Sequence, residues 1–325
     1  MNPRITIPDD FPPLVTGSAA EEKIRSLGGL KIYCSKAETE DELIERLKES
    51  EVVISTRAFT HLNGKILASS PGLRMISILG TGTDNVDLKT AAELGITVTN
   101  TPGANALAVA EHSIALLFSL ARQVPLLDRE VRSGRWPRVD MVQVSGKVLG
   151  VLGLGAIGGH VARIARGLGM EVIAWTMHPS PERAEKSGVR FVSREELLKN
   201  SEVLSLHLRL TDETRGFLKR EDFDRMKPSA FLVNTARAAL VEPGALIEAL
   251  RSRKIAGAAL DVFDQEPLPA DDPLASLSNV VLTAHCAALT AEATRNSLTM
   301  AIENVTQFLG GNQIEPARLV VKGNR

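Results

Sequence analysis

Three polar residues stand just past short apolar runs in the second half of the chain. Arg237 follows Ala230–Asn234, Glu266 comes shortly after Gly257–Leu260, and His285 follows Val280–Thr283. An arginine offers a planar fork to a carboxylate. A histidine exchanges protons near neutral pH, and a carboxylate beside it orients the ring and favours its charged form. Each residue alone has a plain reading: a solvated helix start for Arg237, a loop charge for Glu266, a satisfied loop histidine for His285. Together, at three successive strand ends, they suit hydride transfer on a 2-keto or 2-hydroxy acid. Strand carboxyl ends are where ligands bind in open α/β sheets.

That chemistry needs a hydride carrier, and the middle of the chain supplies a place for one. Val148–Leu152 reads as a buried strand running into Gly153-x-Gly155-x-x-Gly158, with Val161, Ile164, Ala165 and Leu168 at helical spacing behind it. The first glycine permits a tight strand-to-helix turn. The second lets the backbone approach a pyrophosphate, and the third lets helix pack on strand. The phosphates then sit at the positive end of a helix.

Short apolar runs alternate with helical stretches almost throughout, which predicts parallel α/β architecture. Before the fingerprint, strands are expected at Arg4–Ile7, Leu30–Cys34, Glu51–Ser55, Arg74–Leu79 and Thr97–Val98, with a helix at Thr39–Lys48. A long apolar helix spans about Asn105 to Arg122. The polar segment Gln123–Gly146, containing Trp136, then leads to the fingerprint. After it, strands at Glu171–Trp175, Val203–His207, Ala230–Asn234, Gly257–Leu260 and Val280–Thr283 would complete a six-stranded sheet. Glu292–Leu309 is a final amphipathic helix, expected to pack on the first domain.

At 325 residues the chain suits two domains. The expected division is a substrate domain of 1–103 plus 288–325 and an inserted NAD(P)-binding domain of 104–287. The chain would cross between them twice, with the active site in the cleft. A net charge of −1 gives no reason to expect nucleic acid or an anionic membrane as partner. Cys34 and Cys286 form neither a disulfide framework nor a metal-spacing cluster, so no metal is expected and a reducing, cytoplasmic compartment is. Met1–Asp10 carries Pro and Asp where a signal peptide has its apolar core.

Gly80-Thr-Gly-Thr-Asp-Asn-Val-Asp87, Asn100-Thr-Pro-Gly103, Val109-Ala-Glu111, the glycine fingerprint, Asn234-Thr-Ala-Arg237, Asp261-Val-Phe263 and Glu266-Pro267 stand in one order along nearly the whole chain. In these motifs the chain resembles the D-isomer-specific 2-hydroxyacid dehydrogenase family. The resemblance implies two doubly wound domains, a flavodoxin-like substrate domain and a Rossmann domain, with NAD(H) or NADP(H) as cofactor and a small 2-keto or 2-hydroxy acid as substrate. It implies His285 as acid/base, Glu266 as its partner and Arg237 as clamp for carboxylate and carbonyl. Backbone amides around Gly80, Thr81 and Gly82 would hold the substrate carboxylate, with Arg57 touching substrate or remaining a surface arginine. Ala156 and Ile157 would meet the pyrophosphate, and Asp261 would accept from the nicotinamide carboxamide. Thr235 and Ala236 would belong to the same cofactor site. The loop from His207 through Leu208, Arg209 and Thr214 would cover the adenine. A homodimer is also implied, with the Trp136 region serving either the dimer or simple packing.

The chain departs from the family pattern at a few positions. Ala284 replaces the usual Pro before the histidine, and Cys286 and Ala287 follow it. Where the family often has an Asp for the adenine ribose there is Thr176, which does not repel a 2′-phosphate as a carboxylate would. His178, Arg183 and Arg209 are nearby candidates for such a phosphate, so NAD and NADP both stay open. Two other functions fit the scaffold: a dehydrogenase of a small formate- or phosphite-like anion, and a non-catalytic NAD(H)-sensing interaction protein. The presence of Arg237, Glu266 and His285 disfavours the second.

Overall fold

The structure is a computed structural model that describes residues 2–324. The chain forms two compact units, one reaching to Asn105 and resuming at Thr290, the other spanning Ala106–Leu289. In the first unit β1 (Arg4–Ile7), β2 (Gly29–Ile32), β3 (Val52–Ser55), β4 (Met75–Ile78) and β5 (Thr97–Thr99) lie parallel in the order β2-β1-β3-β4-β5. That is the flavodoxin-like doubly wound order. Every residue of β3, β4 and β5 is buried, as parallel strands covered on both faces must be. On one face Leu43, Leu47, Ile66, Leu67 and Ala91 from three short helices pack on Val53, Ile76 and Val98. On the other, Ile24 joins Leu298 and Val305 of the helix Ala291–Leu309 against Ile5, Ile54 and Met75. The Thr290 hydroxyl caps that last helix by accepting from the Ala293 amide at 3.1 Å.

The second unit carries β6 (Val148–Leu152), β7 (Glu171–Trp175), β8 (Arg190–Phe191), β9 (Val203–Leu206), β10 (Phe231–Asn234), β11 (Gly257–Leu260) and β12 (Val280–Leu282). They form a parallel sheet in the order β8-β7-β6-β9-β10-β11-β12. The first six follow the Rossmann order and β12 extends the edge. The strand order reverses between β6 and β9, which makes the carboxyl ends of those two strands the switch point where such sheets bind ligands. The helices Ala106–Ala121 and Ala156–Gly167 cover one face through Ile114, Leu117, Val161 and Ala165. Leu197, Phe223, Ala245 and Leu250 cover the other.

Three expectations need correction. The sheet has seven strands rather than six, because Arg190–Phe191 pairs with β7 along only two residues, too few to leave an apolar pattern. The first sheet gains β13 (Leu319–Val321), antiparallel to β5 at its edge. The segment after Arg122 is not merely polar, for it contains the helix Val124–Arg132, which starts after Gln123 at φ 50° and buries none of its residues. Among the described residues no single helix is long and apolar enough to cross a membrane.

Candidate active site

The three fingerprint glycines answer three separate geometric demands. Gly153, at φ 104°, turns the chain out of β6, and a Cβ there would stand 2.7 Å from the His207 carbonyl carbon at the end of β9. Gly158 packs the following helix down so closely that its Cβ would lie 2.2 Å from the Gly153 oxygen. A Cβ on Gly155 would meet nothing within 4 Å. Its openness therefore faces space rather than packing. Gly155 is the N-cap of the helix Ala156–Gly167 and supplies no capping side chain, so the amides of Ala156 and Ile157 remain for an incoming group. The residues thus fit a dinucleotide pyrophosphate: an uncapped helix start, an approach that a Cβ would fill, and a place at the switch point.

His285 and Glu266 meet downstream of β12 and β11. The ring Nδ1 and Glu266 Oε2 are 2.7 Å apart, and Glu266 Oε1 accepts from the Phe263 amide at 3.0 Å. Burial works to raise the Glu266 pKa. The hydrogen bonds from His285 and Phe263, aided by the charges of His285 and Arg237, outweigh it and hold the carboxyl below its ordinary range. A carboxylate on Nδ1 fixes the ring so that Nε2 points away from it. Arg237, half-buried, donates from Nη1 to the Ala236 carbonyl at 2.7 Å. Asn234 shapes this turn, donating to the Arg237 carbonyl at 2.9 Å and accepting from the Ala236 amide at 3.0 Å. Thr235 is buried, its hydroxyl 2.8 Å from that of Ser113.

Asp261 does more than its motif indicated. It is fully buried, and its Oδ1 accepts from Thr283 Oγ1 at 2.6 Å and the Cys286 amide at 2.9 Å. Its Oδ2 accepts from the Ala287 amide at 2.9 Å. His285 lies immediately before those two amides with φ 49°, a left-handed conformation that a non-glycine residue holds only when its surroundings impose it. The buried carboxylate imposes it, since charge-assisted hydrogen bonds are worth about 1.5–3 kcal/mol each. Asp261, Thr283 and His112, whose Nε2 is 3.0 Å from Thr283 Oγ1, thus set the loop that carries His285. His112 reads from sequence as packing or surface, and no spacing signal links it to residues so far along the chain.

The loop after β9 is braced internally. Thr214 Oγ1 donates to the Arg209 carbonyl at 2.7 Å and accepts from the Thr211 amide at 2.8 Å, so it holds the loop's shape. His207 is half-buried, with Nε2 2.8 Å from Ser205 Oγ and Nδ1 unpartnered, and burial pushes its pKa down to about 3. Leu208 is buried beside it, while Arg209 is exposed.

In the first unit Gly80 turns the chain after β4 at φ 113°. Its amide donates to Thr101 Oγ1 at 2.7 Å. Thr81 and Gly82 keep their amides, while Asn100 Nδ2 anchors the Thr81 carbonyl at 2.9 Å. Arg57, two residues past β3, is half-buried and donates from Nη2 to the Pro12 carbonyl.

Residues 114–287 match the family model for the D-isomer specific 2-hydroxyacid dehydrogenase, NAD binding domain. The chain belongs to that family. It is 40% identical over 278 residues to a glyoxylate reductase of Aeropyrum pernix, covering 83% of each chain. It is 37% identical over 308 residues to a D-3-phosphoglycerate dehydrogenase of Archaeoglobus fulgidus, covering 94% of this chain and 58% of that one. An acyclic imino acid reductase solved with NADPH and D-arginine superposes with a TM-score of 0.87 at 29% identity, covering 98% of this chain and 100% of the other.

A dinucleotide-binding unit of this family takes NAD(H) or NADP(H), and sheets of this kind carry an acidic residue about 20 positions past the fingerprint for the adenine ribose. The residue after β7 is Thr176, half-exposed. Arg183 lies close by but donates to the His178 carbonyl at 2.8 Å. No carboxylate occupies position 176.

Proposed function

We propose that this chain is a D-2-hydroxyacid dehydrogenase working mainly as a 2-keto acid reductase. The observation that carries the reading is the 2.7 Å contact between His285 Nδ1 and Glu266 Oε2, on a loop held in a left-handed turn by buried Asp261. Strain of that kind is retained where a side chain must be aimed.

Arg237 binds the carboxylate and carbonyl of the acid as a planar fork. The amides of Thr81 and Gly82 hold the carboxylate, and Arg57 contributes positive charge. His285 gives its Nε2 proton to the carbonyl oxygen in reduction and takes it back in oxidation, while Glu266 stabilises the imidazolium through Nδ1. A positioned proton donor of this kind contributes about 10²–10⁴-fold. The cofactor, when bound, supplies or accepts the hydride at the carbon bearing that oxygen. Gly155, Ala156 and Ile157 hold its pyrophosphate, and Leu208 to Thr214 line its adenine side. Thr235, Ala236 and the Asp261 region line its nicotinamide side.

The finer readings of setting belong here too. A homodimer is supported by the helix Val124–Arg132, which buries no residue, and by Trp136, 74% exposed. An apolar surface of this kind marks an interface. The cytoplasm is the proposed compartment, on two cysteines that are both free.

The test is a panel of 2-keto acids, glyoxylate and phosphorylated three-carbon acids among them, with NADH and NADPH followed by loss of reduced-cofactor absorbance. Turnover of one or more is expected. Tight NADH binding without turnover of any would overturn the reading in favour of a sensor.

A further inference from the structure

Three side chains from three elements of the second unit converge on one oxygen. His112, from the helix Ala106–Ala121, places Nε2 3.5 Å from Asp261 Oδ1. Cys286, beyond β12, places Sγ 3.6 Å from the same atom. All three ligand atoms lie within 4.8 Å of one another. The two separations from Oδ1 match edges of a tetrahedral site whose metal–ligand distances are about 2.0–2.3 Å. Asp261 is fully buried, whereas the His112 and Cys286 side chains are partly exposed and leave a solvent-side approach. The donor set is one nitrogen, one oxygen and one sulfur. Calcium and magnesium take oxygen ligands, whereas imidazole with thiolate selects zinc-class cations.

We propose that His112, Asp261 and Cys286 bind a single zinc-class divalent cation, and that its occupancy stops turnover by taking Asp261 Oδ1 from the Cys286 amide and so releasing the strained turn that aims His285. On binding, Sγ loses its proton to solvent and forms a metal–sulfur bond. The His112 ring stays neutral, its single proton passing from Nε2 to Nδ1 through solvent so that Nε2 offers a lone pair in place of its contact with Thr283 Oγ1, and Asp261 Oδ1 contributes its own lone pair. Water takes the fourth position. No atom changes oxidation state. The inhibitory half of the proposal rests on the activity proposed above, whereas the binding half does not.

The experiment uses the full chain with Cys34→Ser, reduced and chelator-treated, so that Cys286 is its one remaining thiol. Co²⁺ is titrated in and read by thiolate-to-cobalt charge-transfer absorption, then displaced with Zn²⁺. The expected result is saturation at one equivalent with a thiolate band. Cys286→Ala should lose the band and weaken binding more than about tenfold, and His112→Gln should weaken it comparably. An absent band, or unchanged affinity in Cys286→Ala, overturns the site without touching the proposed activity. In parallel, one equivalent of Zn²⁺ should halt keto-acid reduction, chelator should restore it, and Cys286→Ala should lose the zinc inhibition, judged against its own chelator-treated rate. A thiolate band at one equivalent with undiminished turnover overturns the inhibitory half alone.

Discussion

His285 sits in a backbone conformation that costs a non-glycine residue on the order of 1–3 kcal/mol, and the Asp261 carboxylate meets that cost with amides of the next two residues. The imidazole is thereby aimed before any substrate arrives. His285→Ala should lower kcat/KM for reduction about 10²–10⁴-fold while NADH affinity changes little. Glu266→Gln removes the carboxylate that holds the ring through Nδ1 at 2.7 Å, so kcat/KM for reduction should fall while NADH affinity changes little. Unchanged kcat/KM would sink the pairing as a functional device. The lowered Glu266 pKa gives a separate, thermodynamic signature. A carboxyl depressed in the folded state stabilises fully above its ordinary value of 4.5 and loses that contribution as pH falls through the lower folded value. The unfolding midpoints of wild type and Glu266→Gln should therefore differ above pH 4.5 and converge on acidification. At Thr176 the expectation concerns selectivity. Thr176→Asp should raise the NADH-to-NADPH ratio of kcat/KM through repulsion of the 2′-phosphate. A wild type already rejecting NADPH by several orders of magnitude would show that another residue decides.

At the scale of elements, the strand–turn–helix of the fingerprint separates packing from binding. Gly158→Ala forces a methyl against the Gly153 carbonyl, 2.2 Å away, so the helix Ala156–Gly167 must shift off β6. Overpacking of this kind costs about 1–3 kcal/mol, and both melting temperature and NADH affinity should fall. Gly155→Ala meets no protein atom within 4 Å and has an ordinary φ of −89°, so its melting temperature should stay near wild type. NADH affinity should still drop, because the methyl occupies the approach to the helix amides. Calorimetry beside cofactor fluorescence distinguishes the two. Unchanged NADH affinity in Gly155→Ala would move the pyrophosphate elsewhere.

For the whole molecule, two units with separate cores make separate contributions to stability. NADH at about a hundred times its dissociation constant should stabilise the unit that binds it by about 2.7 kcal/mol. Calorimetry should show that transition rise while the transition of the other unit stays in place. Oligomeric state follows from the segment that begins at Val124. Val131→Asp with Trp136→Glu places charges on two exposed apolar side chains of that segment. Sedimentation should show a dimer for the wild type and a monomer for the double variant, and a wild-type monomer would remove the proposed interface.

The parallel α/β class and the strand–turn–helix at Gly153–Gly158 were legible in the sequence, because fully covered strands need unbroken apolar runs and glycine answers purely local steric demands. The motif order likewise placed Arg237, Glu266 and His285 beyond strand ends. Local pattern could not show β8 or β13, since an edge pairing of two or three residues depends on what lies beside it. Nor could it show that the Gly80 amide donates to Thr101, or that Thr214 braces its own loop. The convergence of His112, Thr283 and Cys286 on Asp261 was decided by tertiary structure alone. A buried carboxylate must gather donors from whatever elements pack around it, and the packing of the long helix against the sheet, not any spacing along the chain, determines which donors those are.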